Sequence, residues 1–245
     1  MTDGVTLITC TGGRPEAFGL CKRWVRAQTW TGPLQWIIVY DDEEELKVGS
    51  DERLIVDIGS RLLVTIIHPH PCWQPGQNTL ARNLLAAIPE VIHDKVLFCE
   101  DDDYYAPAYI ETMARYLESD SLVGEAPARY YHVPQRKYWT LDNVRHASLC
   151  QTGMSSELLP LLVDVCGHQG QNFIDVRMWR MNEGSQCTRL INSGLVVGIK
   201  GLPGRPGIGI GHRPEYSGGW QSDPDMKVLR SWIGDDATAY EEFSK

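Results

Sequence analysis

Short apolar runs of strand length alternate with amphipathic stretches along the first half of the chain, and Gly, Pro or a carboxylate marks most boundaries. Residues 5–10 read as the first strand. They lead into Thr11-Gly12-Gly13-Arg14-Pro15, where Pro15 suits the opening position of a helix that runs to about Gln28. Residues 34–40 and 62–67 are the next two strands, the former running into Asp41-Asp42-Glu43-Glu44-Glu45. Residues 78–88 have helical periodicity, and residues 96–99 form a strand that ends in four consecutive carboxylates, Glu100-Asp101-Asp102-Asp103. This alternation predicts a mostly parallel sheet flanked by helices.

The second half is less regular. Helices are predicted over residues 109–117, 157–165 and 173–181, a strand over 193–199, and a hairpin whose arms, 128–133 and 137–141, flank Pro134-Gln135-Arg136. Residues 200–212 are too rich in Gly and Pro for a regular element and read as a mobile loop. The end, residues 235–245, reads as a frayed acidic tail, and no internal repeat stands out.

A length of 245 residues suits one α/β domain with a substantial core. The net charge of −9, with no Lys/Arg run, gives no support for broad nucleic-acid binding through phosphate neutralisation. A local basic patch of Arg129, Arg136, Lys137 and Arg145 stays open. The first residues lack the basic and apolar regions of a signal peptide, and no stretch approaches the ~20 apolar residues of a membrane span. Seven scattered cysteines without a CxxC pair fit reduced thiols, so the expectation is a cytoplasmic protein. His68, His70 and Cys72 lack a fourth ligand and are interrupted by Pro69 and Pro71, which argues against zinc.

Four adjacent carboxylates on a strand end repel one another, and a divalent ion with oxygen ligands, Mg²⁺ or Mn²⁺, resolves that repulsion. In an open α/β sheet ligands bind beyond the carboxyl ends of the strands, and three such ends here carry polar groups: Thr9/Thr11/Arg14, Asp41/Asp42 and Glu100 to Asp103. An arginine beside hydroxyls holds phosphate, an Asp accepts bonds from a base or ribose, and a metal neutralises a diphosphate. Together they describe a nucleotide-diphosphate site.

The strand and Arg-Pro turn, the strand ending in Asp, the Gly76-Gln77-Asn78-Thr79-Leu80-Ala81-Arg82-Asn83 segment and the apolar strand before Glu100-Asp101-Asp102-Asp103 resemble family 2-like glycosyltransferases of the GT-A fold, best over residues 5–120. More narrowly, residues 8–18, Arg145-His146-Ala147-Ser148-Leu149-Cys150-Gln151-Thr152 and residues 198–205 resemble phage TET-associated glycosyltransferases, which implies hydroxymethylated pyrimidines of phage DNA as acceptor and a host cytoplasmic location. The resemblance implies a single domain with a nucleotide-sugar half over about residues 1–125 and an irregular acceptor half over about 126–234. It implies that the acidic run is a DXD motif, in the register Asp101-x-Asp103 or Glu100-x-Asp102, holding Mn²⁺ or Mg²⁺ with Asp101, Asp103 and the late His212. Thr9, Thr11, Arg14, Asp41 or Asp42, Arg82, Asp101 and Asp102 would then line the nucleotide of a donor, a UDP-sugar first among the choices, and Lys200 and Arg205 would clamp its diphosphate. Asp175 is expected as the base, ahead of Glu183 and Glu157, and His146, Tyr105 and Trp220 on the acceptor side. A nucleotidyltransferase of related fold, a non-catalytic nucleotide- or carbohydrate-binding module, and a surface glycan as acceptor are the rival readings.

Overall fold

The computed structural model describes residues 2–42, 61–168, 173–207, 209, 212 and 219–244. In chain order the elements are β1 (Thr2–Thr11), α1 (Pro15–Arg26), β2 (Leu34–Tyr40), β3 (Leu62–Ile67), α2 (Leu80–Ala87), β4 (His93–Phe98), β5 (Tyr104–Tyr105), α3 (Tyr109–Tyr116), β6 (Leu122–Glu125), β7 (Ala128–His132) and β8 (Lys137–Leu141). They continue with β9 (Thr152–Ser155), α4 (Leu159–Gly167), α5 (Ile174–Met181), β10 (Thr188–Ile191), β11 (Val196–Lys200), β12 (Gln221–Ser222), α6 (Lys227–Ile233) and a 3₁₀ segment, Gly234–Phe243.

A seven-stranded sheet runs β10-β6-β9-β4-β1-β2-β3. Its pairings are parallel across β4-β1-β2-β3 and β10-β6, while β9 is antiparallel to both β4 and β6. Side chains that alternate along the central strands feed two cores. Leu34, Trp36 and Ile38 face a core with Trp24, Tyr109 and Tyr240, whereas Ile37 and Val39 face one with Leu84, Leu162 and Trp179. A smaller five-stranded sheet, β12-β8-β7-β11-β5, packs beside the first and carries the predicted 128–141 hairpin as β7 and β8.

Strands β6, β9 and β10 escaped the sequence reading. Each has four residues, and β6 and β9 contain Gly124 and Gly153. Those glycines make room. A Cβ on Gly124 would lie 2.4 Å from the Ala147 methyl and 2.5 Å from the Trp179 ring, neither of which can swing aside. Gly124→Ala is therefore expected to destabilise the fold by about 1–3 kcal/mol, read as a lower urea midpoint at unchanged slope.

The end of the chain is not frayed, in contrast to the expected acidic tail. The 3₁₀ segment buries Ala237 and Tyr240 completely. The Trp24 indole N–H donates to the Tyr240 hydroxyl at 3.1 Å, and the Tyr104 hydroxyl donates to Asp236 at 3.0 Å. Burial of apolar surface and these bonds outweigh the repulsion of the carboxylates. Lys245 and Glu43 to Glu45 lie outside the described residues.

Candidate active site

A cavity of about 720 Å³ opens beyond the carboxyl ends of β1 and β4. Cys10, Arg14, Glu100 to Asp102, Trp73, Gln77 and Asn78 line it. Tyr130, Trp139, His146, Phe173, Asp175, Lys200, Arg205 and His212 also line it.

The acidic run is divided among cations of the chain itself. Asp101 accepts from the Thr11 hydroxyl at 2.6 Å and pairs with Arg14 at 2.5 Å. Asp102 accepts from Arg14 at 3.0 Å, and Asp103 accepts from the Ile199 amide at 2.8 Å and the Lys200 ammonium at 3.0 Å. Burial pushes Glu100 up to about 8, with Asp103 adding to the rise. Burial also lifts Asp101 to about 6 against the pull of Arg14. For Asp102 burial is outweighed by Lys200 and Arg14, which hold it well below the usual carboxylate range. Burial would lower the Lys200 value, but Asp102 and Asp103 raise it well above that of a free lysine. The His212 Nε2 lies 3.4 Å from Asp102, yet burial and Lys200 bring its pKa down to about 3, so at neutral pH this is a polar contact of a neutral imidazole and not an ion pair.

The loop after β11 is anchored where the sequence suggested mobility. The Arg205 amide donates to the Gly13 carbonyl at 2.9 Å, its guanidinium pairs with Asp41 at 2.6 Å, and it lies over the Trp73 ring at 4.8 Å. Gly204, at φ +101°, is required there because a Cβ would sit 2.4 Å from the Gly13 carbonyl oxygen. Residues 208, 210 and 211 of this loop are outside the described set.

Several expected site residues sit elsewhere. Thr9 is buried in the sheet and accepts from the Trp36 indole at 2.9 Å. Asp41 is fully buried and gathers Thr79, Asn83, Arg82 and Arg205, so it joins β2, α2 and the loop and presents no free edge to a base. Arg82 is turned toward Asp41, Asn83 and the Pro71 carbonyl. Thr11 gives its hydroxyl to Asp101, and Asp42 stands beside Gly13, outside the cavity lining. Tyr105 is a core residue whose hydroxyl accepts from the Glu100 amide at 2.7 Å. Trp220 packs against Trp139 with the rings tilted, centroids 6.0 Å apart, and is not among the residues lining the cavity. In the suggested basic patch, Arg136 is taken up by Pro224 and Ser244 and Arg129 lies over Trp232.

The cavity does bring together Arg14, Asp101, Asp102, His146, Asp175, Lys200, Arg205 and His212. Asp175 lies in the first turn of α5, where burial raises its pKa against the opposing backbone amides of Val176 and Leu149 and the nearby His146. Asn172, just before it, is outside the described residues. Trp73, Gln77 and Cys150 were missed as site residues, although Gln77 and Cys150 fall inside segments that carry the resemblance.

The expected metal trio of Asp101, Asp103 and His212 does not converge, because Arg14 and Thr11 hold Asp101 and His212 faces Asp102. Among the described residues the His, Cys, Asp and Glu donors that meet are those of Glu100, Asp103 and Cys150, within 4.8 Å of one another. Asp103 keeps its buried Oδ2 away from every nitrogen and oxygen donor, with the Cys150 thiol as hydrogen-bonding neighbour of the carboxylate. A carboxylate oxygen so placed, beside the Glu100 carboxylate, fits a divalent ion.

No protein-family model and no curated protein matches the chain. Solved structures do. TarS from S. aureus aligns with 12% identity and a TM-score of 0.58 over 81% of this chain and 37% of TarS. Residues 1–349 of TarS in complex with UDP-GlcNAc align with 11% identity and a TM-score of 0.57 over 83% and 60%. The mannosyltransferase PcManGT from Pyrobaculum calidifontis, in complex with GDP-Man and Mn²⁺, aligns with 15% identity and a TM-score of 0.52 over 83% and 58%. This chain thus spans 37% to 60% of the length of these three. No helix among the described residues is long and apolar enough to cross a membrane. At such low identity the likeness speaks for architecture alone, and the central sheet, its strand-end cavity and these neighbours establish that the chain has the GT-A fold.

Proposed function

We propose that the protein is a metal-dependent glycosyltransferase that moves a sugar from a nucleotide diphosphate sugar, a UDP-sugar first among the choices, to a hydroxyl acceptor. One observation carries this reading: a single strand-end cavity joins the acidic run, three cations of the chain and a half-buried carboxylate at a helix start. The UDP-GlcNAc and the GDP-Man with Mn²⁺ in the neighbouring structures support the donor class. In this reading residues of about 1–125 hold the nucleotide sugar and those of about 126–234 the acceptor, with Lys200 and Arg205 reaching back to the donor's diphosphate.

Asp175 accepts the proton of the acceptor hydroxyl as its oxygen bonds to the anomeric carbon, while the bond from that carbon to the diphosphate breaks. Arg14, Lys200 and Arg205 stabilise the charge on the departing diphosphate, and the anchored loop keeps water from the donor. A divalent ion, Mn²⁺ or Mg²⁺, held by Glu100 and Asp103 would supply further neutralisation of that charge. The proposed acceptor is a hydroxymethylated pyrimidine. Tyr130, Trp139 and Phe173 line the same cavity as His146 and Asp175 and would stack on a flipped base, and a single extruded nucleotide needs no broad basic surface.

The test is calorimetric titration with a panel of UDP- and GDP-sugars in Mn²⁺, Mg²⁺ and chelator, followed by product analysis. One donor bound only with metal and slowly cleaved to a nucleoside diphosphate is the expected result. Release of pyrophosphate would favour a nucleotidyltransferase, and no recognition of any donor would remove the reading. Transfer to hydroxymethylated DNA but not to glycans is expected of the acceptor.

A further inference from the structure

We infer that Lys137, Arg145, Arg177 and Arg180 form a surface bordering the cavity that receives the phosphodiester backbone of a nucleic-acid acceptor. The inference deepens the proposed acceptor reading by naming the residues that hold the strand, and it rests on that reading for the group that is modified.

Most cations of the chain are committed. Arg14, Lys200 and Arg205 pair with carboxylates, Arg136 donates to carbonyl oxygens, and Arg129 lies over Trp232. Among the described residues, the side chains of Lys137, Arg145, Arg177 and Arg180 have no hydrogen bond, ion pair or ring contact. Those four are not scattered. They fall in residues 137–146 and 173–180, and the same two stretches supply Trp139, Asn143, His146, Phe173 and Asp175 to the cavity lining. In a chain of net charge −9, these stretches carry four cations against two carboxylates, Asp142 and Asp175.

Local structure fixes their spacing. Successive side chains of a strand alternate, so Lys137 shares a face of β8 with Trp139 and Leu141, which line the cavity, and continues that face about 7 Å along the strand. On α5, Phe173, Arg177 and Arg180 follow the i, i+4, i+7 spacing of one helix face, while Ile174, Met178 and Trp179 are buried. Phe173 lines the cavity yet is 55% exposed, which sets it at the mouth, and the two arginines extend from it over about 10 Å of helix. Arg145 is exposed directly before the lining His146. A strand whose modified base enters the cavity lays its neighbouring phosphates outside it, where these cations neutralise them while the rings meet bases. A neutral glycan would leave the cations unused.

The experiment is fluorescence anisotropy of a labelled DNA duplex carrying one hydroxymethylated pyrimidine, titrated with the full chain over a series of salt concentrations. Four phosphate contacts give a slope of log affinity against log salt of about −3 to −4 on a duplex. Lys137→Ser, Arg145→Gln, Arg177→Gln and Arg180→Gln should each weaken binding and take about 0.9 from the magnitude of that slope, and the fourfold variant should lose nearly all of it. Lys227→Ser, which removes an exposed cation of α6 paired with Asp225, should leave the slope unchanged. Thermal melting confirms that each variant is folded. Binding without salt dependence, or a wild-type slope in the fourfold variant, would overturn the inference. So would inorganic polyphosphate that competes as well as unlabelled duplex, since bases would then contribute nothing. A protein that cleaves its donor but binds no DNA would remove the surface and leave the transferase reading standing. The expected slopes in a protein that cleaves no nucleotide sugar would uphold the surface while removing that reading.

Discussion

Asp175→Asn is expected to lower the rate of sugar transfer by about 10²–10⁴-fold, the range general-base catalysis contributes, with donor affinity unchanged. The amide is nearly isosteric and still accepts one of the backbone bonds at the start of α5, but it cannot take a proton. Burial raises the Asp175 carboxyl above the ordinary range. The base must be ionised to work, so wild-type transfer should fall as pH drops through that raised value, and this acid limb should vanish in the variant. The same burial makes the charge unfavourable to folding: a carboxyl whose pKa is higher folded than unfolded lowers stability once pH exceeds its unfolded value. The Asn variant should therefore melt no lower than wild type at neutral pH. Transfer rates, calorimetric donor affinity and melting temperatures, measured on one preparation, check all three. A variant that transfers at the wild-type rate would remove Asp175 from the chemistry.

The second large effect is on stability. Lys200→Met is expected to destabilise the fold by about 3–5 kcal/mol, because it leaves buried carboxylates without their cation. Lys200 is 6% exposed, its ammonium is 3.0 Å from Asp103, and its charge favours the ionised form of both Asp102 and Asp103 against their burial. Asp103→Asn combined with Lys200→Met removes charge from both sides and should recover much of the loss. Urea unfolding in chelator, which keeps bound metal out of the comparison, reads both variants. The sign with pH is defined: Lys200 has a raised pKa in the fold, so its contribution is complete below the unfolded value near 10.5 and declines only as pH rises beyond it. A single variant as stable as wild type would mean that the carboxylates are satisfied without the lysine.

How far the chain could be read from its sequence depended on how local each determinant is. Strands β2 and β3 are found at the expected residues: β2 is central and buried almost throughout, which leaves a continuous apolar run, and β3, the partly buried edge strand beside it, carries a similar apolar run. Strands β6, β9 and β10 carry Gly, Ser and Thr and owe their pairing to neighbours distant in sequence, so no local pattern announced them. The tail looked acidic and solvated because its decisive contact, Trp24 with Tyr240, joins positions 216 residues apart.

The site divides along the same line. Local pattern alone is enough to place a dense set of carboxylates at the end of a parallel strand and to require cations around them, because like charges at contact distance repel wherever the chain folds. Which cation serves which carboxylate was decided only by tertiary structure. Lys200 meets Asp103 across 97 positions, and Arg205 meets Asp41 across 164. The same is true of Cys150, which pairing of β9 with β4 carries to Glu100 and Asp103. Successive side chains on a strand and its turn point in different directions, so adjacent carboxylates enter different surroundings, and only the assembled fold settles which becomes an ion pair and which keeps an oxygen free for a ligand.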